Sequence, residues 1–424
     1  MSSKPKTTGK MEAGKNALVP KLRFPEFRGT EGWKEEPLKA AAEINPANSG
    51  LPESFVYIDL ESVDAGALKA KERISRVGAP SRAQRLVELG DIIYQVVRPY
   101  QRNNLLCEFD DDENYVASTG YAQLRAKGSN RFLYQSIHTD SFVGRVTANC
   151  TGSNYPAINS SDLAEIHLPV PPTLPEQQKI AECLSSVDEL IAAHARRLDA
   201  LKTHKKGLMQ QLFPREGETQ PLLRFPEFQN AGEWEVRTIG KMFSLINGCA
   251  FKPEDWQPSG TPIIRIQNLN DPSAEFNYSQ EPVPERNRVE PGDLLFAWSG
   301  TLGSSFGARI WNGPSGVLNQ HIFKVLMDEQ HITLQFALLV LARVEEEIAR
   351  RTHGFKASFV HVKKSDLVKV EMLLPSVPEQ QRIAGCLSSL DALITAETQK
   401  LKALKTHKKG LMQQLFPSPE ANEG

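Results

Sequence analysis

An internal repeat constrains this chain more than any other feature, because a duplicated sequence is expected to give duplicated structural units. The 40 residues from Pro175 to Pro214 return from Pro378 to Pro417 with 30 identical positions. A leader precedes each copy. Its parts are 22–27 (LRFPEF) and Trp33 in the first half, and 223–228 (LRFPEF) and Trp234 in the second. The repeat predicts a pseudo-two-fold arrangement.

Between leader and repeated segment lie two blocks, 39–170 and 240–374, that share only traces such as Gly90-Asp91 and Gly292-Asp293. Glycine, proline and asparagine punctuate their β-branched runs, such as 55–58 and 262–266, which is typical of short strands in a mixed α/β (α+β) fold. The predicted organisation is a flexible tail at 1–21, a first variable domain at 22–170, a first long helix at 175–213, a second variable domain at 223–374 and a second long helix at 378–416.

Each 40-residue copy has the pattern of a long helix that pairs with another helix. Pro175 and Glu176 suit a first helical turn, and Pro214 and Pro417 prevent continuation. Core positions recur at alternating steps of four and three over more than four heptads, which favours a coiled coil over an amphipathic surface helix. The predicted seam contains Ile180, Leu184, Val187, Ile191, His194, Leu198 and Leu201 in one copy, and Ile383, Leu387, Leu390, Ile394, Glu397, Leu401 and Leu404 in the other.

Chain length favours antiparallel pairing of these helices. A helix of about 39 residues is roughly 58 Å long, whereas the connector 215–222 spans at most about 28 Å. In a parallel pair, the connector and the leader together would have to be fully stretched along the whole length of the helix. The aromatic residues of the leader instead predict that the leader packs against the protein. Because each variable domain precedes its helix, antiparallel pairing predicts one domain at each end of a spacer.

Four polar residues fall on the predicted seam. His194 and Glu397 lie near the middle of their helices, where antiparallel pairing predicts a polar pair that fixes the register; the alternative is that both lean out to solvent. The amino groups of Lys205 and Lys408 are expected to reach solvent rather than to form ion pairs.

Composition and motif content argue against a metal centre or an active site in this chain. Five cysteines lack metal-ligand spacing, and no phosphate-binding loop, zinc-protease helix or nucleophile elbow occurs. The acidic run 108–113 is predicted to be a solvated loop, with a cation site as the alternative. No apolar run of about 20 residues or signal peptide occurs, which predicts a cytoplasmic protein.

The charge balance excludes a strongly basic protein. Lys and Arg number 50 against 51 Asp and Glu, a formal net charge of −1. A nucleic-acid site must therefore come from local patches or from a partner subunit.

Polar and aromatic loops in both variable blocks are candidate nucleic-acid contacts. Arginine pairs with guanine O6 and N7, asparagine and glutamine pair with adenine N6 and N7, and small hydroxyls contact phosphates. The alternative for each loop is that it only connects strands. The candidates are Arg98, Tyr100, Gln101, Arg102, Asn103, Thr119, Tyr121, Ser153, Asn154 and Tyr155 in the first block, and Trp298, Ser299, Thr301, Asn319, Gln320, His321, Phe355 and Lys356 in the second.

The RFPEF…W leader and the PEQQxIAxCL start of a long helix, each present twice, resemble the specificity subunit of type I restriction-modification enzymes over residues 22–417. The resemblance implies that each variable block is a target-recognition domain for one half of a bipartite, asymmetric sequence in double-stranded DNA. It implies that the helices set the spacer between half-sites and dock two modification subunits.

The same resemblance implies that this chain is not an enzyme. S-adenosylmethionine is expected on the modification (methyltransferase) subunits, which methylate adenine N6. ATP and Mg are expected on separate restriction (motor-nuclease) subunits.

Two other functions stay open from the residues. One is a non-enzymatic adaptor whose variable domains bind proteins at both ends of a rod, and the other is a self-sufficient enzyme with an unrecognised active site. Sequence-dependent DNA binding together with modification subunits tests the first alternative. Methylation or cleavage by the purified chain alone tests the second.

Overall fold

The computed structural model describes residues 18–48, 50–352 and 359–417, and the chain divides into two units. The first unit comprises the residues up to Arg196 together with those from Thr398 onward, and the second comprises Arg197–Glu397. Each unit contains one α/β head and part of each long helix. The α+β class predicted from the sequence is confirmed.

The first head contains two four-stranded sheets, ordered β6-β3-β10-β7 and β2-β11-β8-β9, and the small pairs β1-β12 and β4-β5. Its elements are β1 (Lys34–Pro37), α1 (Leu38–Ala41), β2 (Ala42–Ile44), β3 (Ser54–Ile58), β4 (Val63–Asp64), β5 (Ala67–Leu68), β6 (Arg73–Ser75), β7 (Ala83–Val87), β8 (Ile92–Gln95), β9 (Leu105–Leu106), β10 (Tyr115–Ser118), β11 (Tyr121–Ala126), α2 (Asn130–Ser136), α3 (Asp140–Ala148), α4 (Ser160–Glu165) and β12 (His167–Val170), followed by the long helix α5 (Leu174–Leu212).

The second head contains the sheets β14-β22-β18-β20 and β16-β15-β21-β17 and the pairs β13-β24 and β19-β23. Its elements are β13 (Glu235–Thr238), α6 (Ile239–Met242), β14 (Phe243–Asn247), β15 (Thr261–Ile264), α7 (Ile266–Asn270), β16 (Asn277–Ser279), β17 (Arg288–Val289), β18 (Leu294–Ala297), β19 (Ser299–Thr301), β20 (Gly307–Ile310), β21 (Gly316–Leu318), β22 (Ile322–Met327), α8 (Leu334–Thr352), β23 (Phe359–His361), α9 (Lys364–Leu367) and β24 (Glu371–Leu374), followed by the long helix α10 (Val377–Leu415).

The two heads share one topology although their sequences diverge. In each head the strand after the Gly-Asp turn, β8 or β18, lies beside β11 or β22. The other four-stranded sheet of each head has one parallel pair, β3 with β10 or β15 with β21. The aspartate of the turn has the same role in both. Asp91 binds Arg125 at 2.8 Å, and Asp293 binds Lys324 at 2.8 Å. The faint sequence traces therefore mark a structural turn.

Each leader is fastened to the start of a long helix by a buried ion pair. Arg23 donates from Nε and Nη2 to the carboxylate of Glu176 at 2.7 and 2.8 Å, and Trp33 Nε1 donates to the same carboxylate at 3.1 Å. Arg224 makes the equivalent pair with Glu379, at 2.7 Å for both contacts. Bidentate pairs of this kind fix geometry as well as charge.

The leaders also meet the end of a long helix. The N–H of Leu22 donates to the carbonyl of Gln414 at 2.9 Å, and the N–H of Leu223 donates to that of Gln211 at 2.9 Å. Of the predicted tail 1–21, residues 1–17 lie outside the described residues. Leu18 is described, and it pairs with Trp33 through two backbone hydrogen bonds.

Within each unit the two long helices run antiparallel. In the first unit the start of α5 packs against the end of α10, with Ile180 and Leu184 in one cluster with Leu415 and Phe416. In the second unit the end of α5 packs against the start of α10 in the same way, through Leu212 and Phe213 with Ile383 and Leu387. Both helices begin and end one residue earlier than the predicted 175–213 and 378–416.

The two lysines of the seam correct a prediction. Lys408 Nζ lies 2.7 Å from Asp188 Oδ1, and Lys205 Nζ lies 2.6 Å from Asp391 Oδ1. Both amino groups therefore pair across the helices of their own unit, and the prediction that they only reach solvent is wrong. The aspartates were missed because they lie outside the apolar seam.

The predicted seam positions are all buried or half-buried. Glu397 is 8% exposed, so the solvent-facing alternative is wrong for this residue. Its Oε2 lies 3.8 Å from Arg197 Nε within the second unit. The pairing of His194 with Glu397 stays a prediction.

Candidate nucleic-acid interface

The loop after β8 in the first head is held in a strained shape. Arg98 and Arg102 flank a 3-10 turn at Pro99–Gln101, and both have left-handed backbone angles, with φ of 54° and 56°. Such angles cost a non-glycine residue about 1–2 kcal/mol, and strain of this kind clusters at binding sites. The turn presents Tyr100 and Gln101 on the surface.

Buried polar groups beneath this loop fix its shape. The N–H of Gln95 donates to Asn104 Oδ1 at 2.8 Å, and Gln95 Nε2 donates to Gln101 Oε1 at 3.0 Å. The N–H of Asn103 donates in turn to Gln95 Oε1 at 3.2 Å. Gln95 and Asn104 are buried, so a satisfied polar network rigidifies the loop from inside.

A second predicted segment, 151–155, packs against this loop. The guanidinium carbon of Arg98 lies 4.3 Å from the ring centroid of Tyr155, and its Nη2 donates to the carbonyl of Asn154 at 3.4 Å. The N–H of Arg98 donates to the carbonyl of Pro156 at 2.7 Å. The last three side chains of the segment are exposed. Two segments predicted separately thus form one surface with an arginine, amides and tyrosines.

Three other first-head candidates lie in this loop or in the turn between β10 and β11. Arg102 donates to Asp140 Oδ1 at 2.6 Å and to the carbonyl of His138 at 3.0 Å, and its hydrogen bond lowers the pKa of Asp140. Asn103 is half-buried beside it. Thr119 is half-buried in the turn between β10 and β11.

Tyr121 is a core residue. Its side chain is 1% exposed, and its hydroxyl donates to the carbonyl of Asp59 at 3.2 Å. It packs with Ile93 and Tyr115 between the sheets. A buried ring cannot reach a base edge, so the predicted DNA contact of Tyr121 is wrong.

In the second head, two predicted segments meet around Trp298. Its ring centroid lies 5.2 Å from that of His321 and 4.7 Å from that of His361, both edge to face, and it stacks on Phe323 at 5.7 Å. The N–H of Trp298 donates to the carbonyl of His321 at 3.2 Å. The segments 298–301 and 319–321 are therefore neighbours, as the loops of the first head are.

The remaining second-head candidates differ in how far their side chains are exposed. Ser299 is buried in β19, opposite His361, so its predicted contact is wrong. Thr301 is half-buried, and its N–H donates to Ser305 Oγ at 2.8 Å. Gln320 is exposed. Phe355 and Lys356 lie outside the described residues.

A pocket of about 240 Å³ opens beside His321 in the second head. Arg265 and Gln267, at the junction of β15 and α7, form its other polar wall, and sequence analysis missed both. The apolar run 262–266 was interpreted as one strand, but the strand ends at Ile264 and a helix starts two residues later. The residues lining the pocket are Arg265, Ile266, Gln267, Asn319, His321 and Ile322.

The acidic run 108–113 is engaged in ion pairs on the surface of the first head. Within the described ranges, no group of three or more histidines, cysteines and acids is arranged to hold a metal ion. The pairs are Glu108 with Arg131, Asp111 with Lys71, and Glu113 with Arg73.

A family model described as "Type I restriction modification DNA specificity domain" matches residues 107–203 and 231–406, well over half of the chain. The chain belongs to this specificity-domain family. The first matched region contains the later part of the first head, the second contains nearly all of the second head, and each contains most of one long helix. None of the helices in the described residues is long and apolar enough to cross a membrane.

Relatives of this specificity-domain chain include two from Methanocaldococcus jannaschii. The specificity subunit assigned to type I restriction enzyme MjaX is 27% identical over 275 residues, which cover 62% of this chain and 61% of the relative. The MjaVIII specificity subunit is 24% identical over 301 residues, 67% of this chain and 69% of the relative. The alignment thus spans about three fifths of the MjaX relative.

Solved structures of specificity-domain proteins share the fold. The S subunit of the type I restriction-modification system from M. genitalium matches with a TM-score of 0.57 and 16% identity, over 95% of this chain and all of that chain. A chain from a study of complex assembly and conformational transition of the type I R-M system matches with a TM-score of 0.54 and 22% identity, over 91% and 98%. These two matches support a fold of mixed α/β heads with long helices.

Proposed function

We propose that this chain recognises a bipartite, asymmetric sequence in double-stranded DNA, with one half-site for each head. The observation that carries the proposal is that each head brings two polar segments together at one place: 98–102 with 153–155 in the first head, and 298–301 with 319–321 in the second. Both places follow the strand after the Gly-Asp turn. The family description and the names of the relatives support DNA as the ligand.

The side chains at the two places support different half-sites. The first head presents Arg98, Tyr100 and Gln101, whereas the second presents Arg265 and His321 around a pocket. Direct readout in the major groove depends on which donors and acceptors meet each base edge. Heads with one topology and unlike side chains are therefore expected to read unlike sequences.

The near-neutral charge supports a role inside a larger assembly. Phosphate contacts dominate the affinity of DNA-binding proteins, but this chain has a net charge of −1. We expect two modification (methyltransferase) subunits to supply many phosphate contacts and to carry S-adenosylmethionine. Restriction (motor-nuclease) subunits would supply ATP and Mg chemistry. In this role the chain recognises and does not catalyse, and it acts in the cytoplasm with its partners.

The outer faces of the long helices are the proposed docking sites for the modification subunits. Leu190 and Leu393 are equivalent in the repeat, and they are 51% and 48% exposed. Their neighbours differ between the copies, with Glu189 against Ala392, but the leucine is kept. We expect L190D and L393D each to reduce the number of bound modification subunits from two to one by light scattering. Leu326→Asp, at an exposed leucine of β22, is the matched control and should leave two bound.

Binding selection tests the DNA proposal itself. The chain assembled with its modification subunits is incubated with a randomised duplex pool, and bound duplexes are sequenced. Enrichment of two fixed half-sites separated by an unspecified spacer of constant length is expected. Replacing residues 39–170 with another variable block should change one half-site only. A pool with no enriched sequence would overturn the proposal in favour of a protein-binding adaptor.

A further inference from the structure

The pocket of the second head has both polar and apolar lining residues. Arg265 and Gln267 face Asn319 and His321 across an opening of about 240 Å³, and Ile266 and Ile322 complete the wall. A phosphate group would gain nothing from two isoleucines, whereas the major-groove edge of a base pair presents polar atoms beside apolar groups such as the thymine methyl. The lining therefore fits a base better than a backbone phosphate.

Arg265 is fixed in place before any ligand arrives. Its Nη1 donates to Asn277 Oδ1 at 2.8 Å, and its guanidinium carbon lies 4.9 Å from the ring centroid of Trp256. Its N–H donates to Asn268 Oδ1 at 3.0 Å. A guanidinium held by one hydrogen bond and one aromatic face loses little further entropy on binding.

The opposite wall is rigid as well. The N–H of Asn319 donates to the carbonyl of Ile264 at 3.0 Å, and its Oδ1 accepts from the N–H of Gln320 at 2.8 Å. Gly248 allows this wall to form, because a Cβ there would lie 2.1 Å from the carbonyl oxygen of Asn319. The chain just after β14 can approach Asn319 this closely only because residue 248 is glycine.

Ring nitrogens without hydrogen-bond partners belong to one lining residue of the pocket and to two residues that contact the lining. Among the described residues, Trp256 Nε1, Trp298 Nε1 and His321 Nδ1 are buried and have no hydrogen-bond partner. An unpaired buried polar group costs about 1–3 kcal/mol. His321 lines the pocket, Trp256 stacks on Arg265, and Trp298 lies against His321, so one unpaired nitrogen belongs to a lining residue and two belong to residues that pack against the lining.

We propose that this pocket receives the major-groove edge of one purine in the half-site read by the second head. The inference rests on the proposed function and deepens it. Arginine pairs with O6 and N7 of guanine, and glutamine or asparagine pairs with N6 and N7 of adenine. N7, an acceptor, is common to both, and the donors of Arg265, Gln267 and Asn319 line the pocket.

Replacement of N7 by carbon tests the inference with little change in base shape. Once the target is known, 7-deazapurines are placed one at a time in the second half-site, and binding by the assembled complex is measured. At one position, binding should weaken about 5- to 150-fold, which is the range expected for one good side-chain contact to a base edge. Equal affinity at every position would overturn the inference.

Substitutions in the pocket identify the base and complete a double-mutant cycle between a pocket side chain and N7. If the purine is guanine, R265A should abolish the 7-deaza penalty at that position; if it is adenine, Q267A or N319A should abolish it. Arg286→Ala removes a charge from an exposed residue of the same head, and the penalty should persist. A penalty that survives all three pocket variants would also overturn the inference.

Failure of the proposed function gives a different result. If the unsubstituted complex binds its target no better than a scrambled duplex, recognition itself is wrong. If it discriminates normally but ignores N7, only the assignment of the pocket is wrong.

Discussion

Glu176 and Glu379 are buried carboxylates whose charge is compensated by one arginine each. Glu176 is 1% exposed and accepts from both Arg23 and Trp33. Glu176→Gln leaves the arginine charge buried without its partner, a change that costs about 3–5 kcal/mol. We expect the free energy of unfolding of the first unit to fall by about that amount, measured by hydrogen exchange of first-head peptides in rising urea.

The matched control for this substitution lies on the same leader. Glu26 pairs with Lys179 at 3.6 Å, and both side chains are about half exposed. Exposed pairs contribute about 0–1 kcal/mol, so Glu26→Gln should leave exchange nearly unchanged. Equal effects of the two substitutions would contradict the role assigned to the buried pair.

His138 makes the stability of the first unit depend on pH. Burial, reinforced by Lys408 and Arg102, lowers the pKa of its imidazole to about 4. Its ordinary pKa is about 6.5, so between pH 6.5 and 4 the unfolded chain binds a proton that the folded chain does not. Stability is therefore fully present above pH 6.5 and falls as the pH decreases towards 4.

Because of His138, the free energy of unfolding of the first unit is expected to fall by about 2 kcal/mol between pH 7.5 and pH 5. Urea midpoints of first-unit exchange at the two pH values measure it. His138→Asn should remove this part of the pH dependence, whereas the same substitution at the exposed His167 should keep it. A pH dependence unchanged in His138→Asn would contradict the assignment.

Which side chains reach the surface was the hardest part to predict from the sequence. The loops around Arg98 and Trp298 were identified by composition, because polar and aromatic residues followed apolar strands. Tyr121 and Ser299 were misassigned because each lies within a strand, where side chains alternate between core and surface. Arg265 was missed because nothing in the run 262–266 indicates that the strand ends before it.

At the scale of elements, the long helices were predictable because proline bounds them and their apolar period is sustained. Their direction followed from chain length together with the expected packing of the aromatic leader, and the antiparallel contacts within each unit agree. The ion pairs of Lys205 and Lys408 were not predictable in the same way. They depend on register, which brings Asp391 and Asp188 opposite the lysines, and an apolar pattern does not specify register between two nearly identical helices.

Lengthening both long helices by one heptad tests the expectation that they set the spacer between the half-sites. Seven residues inserted after Arg196 and seven after Glu397 preserve the phase of the seam and add about 10 Å. At 3.4 Å per base pair, the selected spacer should lengthen by about three base pairs, with both half-sites unchanged. Binding selection on the elongated chain measures this.

Insertions of four residues at the same two points are the control. They rotate the seam out of phase, so we expect weaker binding and a lower yield of folded protein rather than a longer spacer. A heptad insertion that changed the bases selected would contradict a spacer role.

The common topology of the heads was not predictable from the sequence. Apart from the Gly-Asp turn, the two variable blocks share little, because a strand tolerates many side chains provided that its inward positions stay apolar. The order β2-β11-β8-β9 nevertheless returns as β14-β22-β18-β20. The segments after β8 and β18 therefore occupy corresponding places in the two heads, while their chemistry depends on the loop residues.

The first unit depends on residues from the far end of the chain. The ring of Phe416 lies 6.0 Å from that of Trp33 and 5.6 Å from that of Phe132. Phe416→Ala removes these contacts and should destabilise the first unit by about 3–5 kcal/mol. Hydrogen exchange should increase in first-head peptides and stay unchanged in residues 223–374, which serve as the internal control. A uniform increase in both heads would contradict separate units.

The division of the chain also sets an order of events during synthesis. Domains that emerge first from the ribosome usually fold first. Here the second unit is continuous, Arg197–Glu397, whereas the first requires residues after Thr398. The head translated first therefore completes its packing last, because Trp33 and Phe132 lack their contacts with Phe416 until the end of α10 is made, whereas the second unit already has all of its residues.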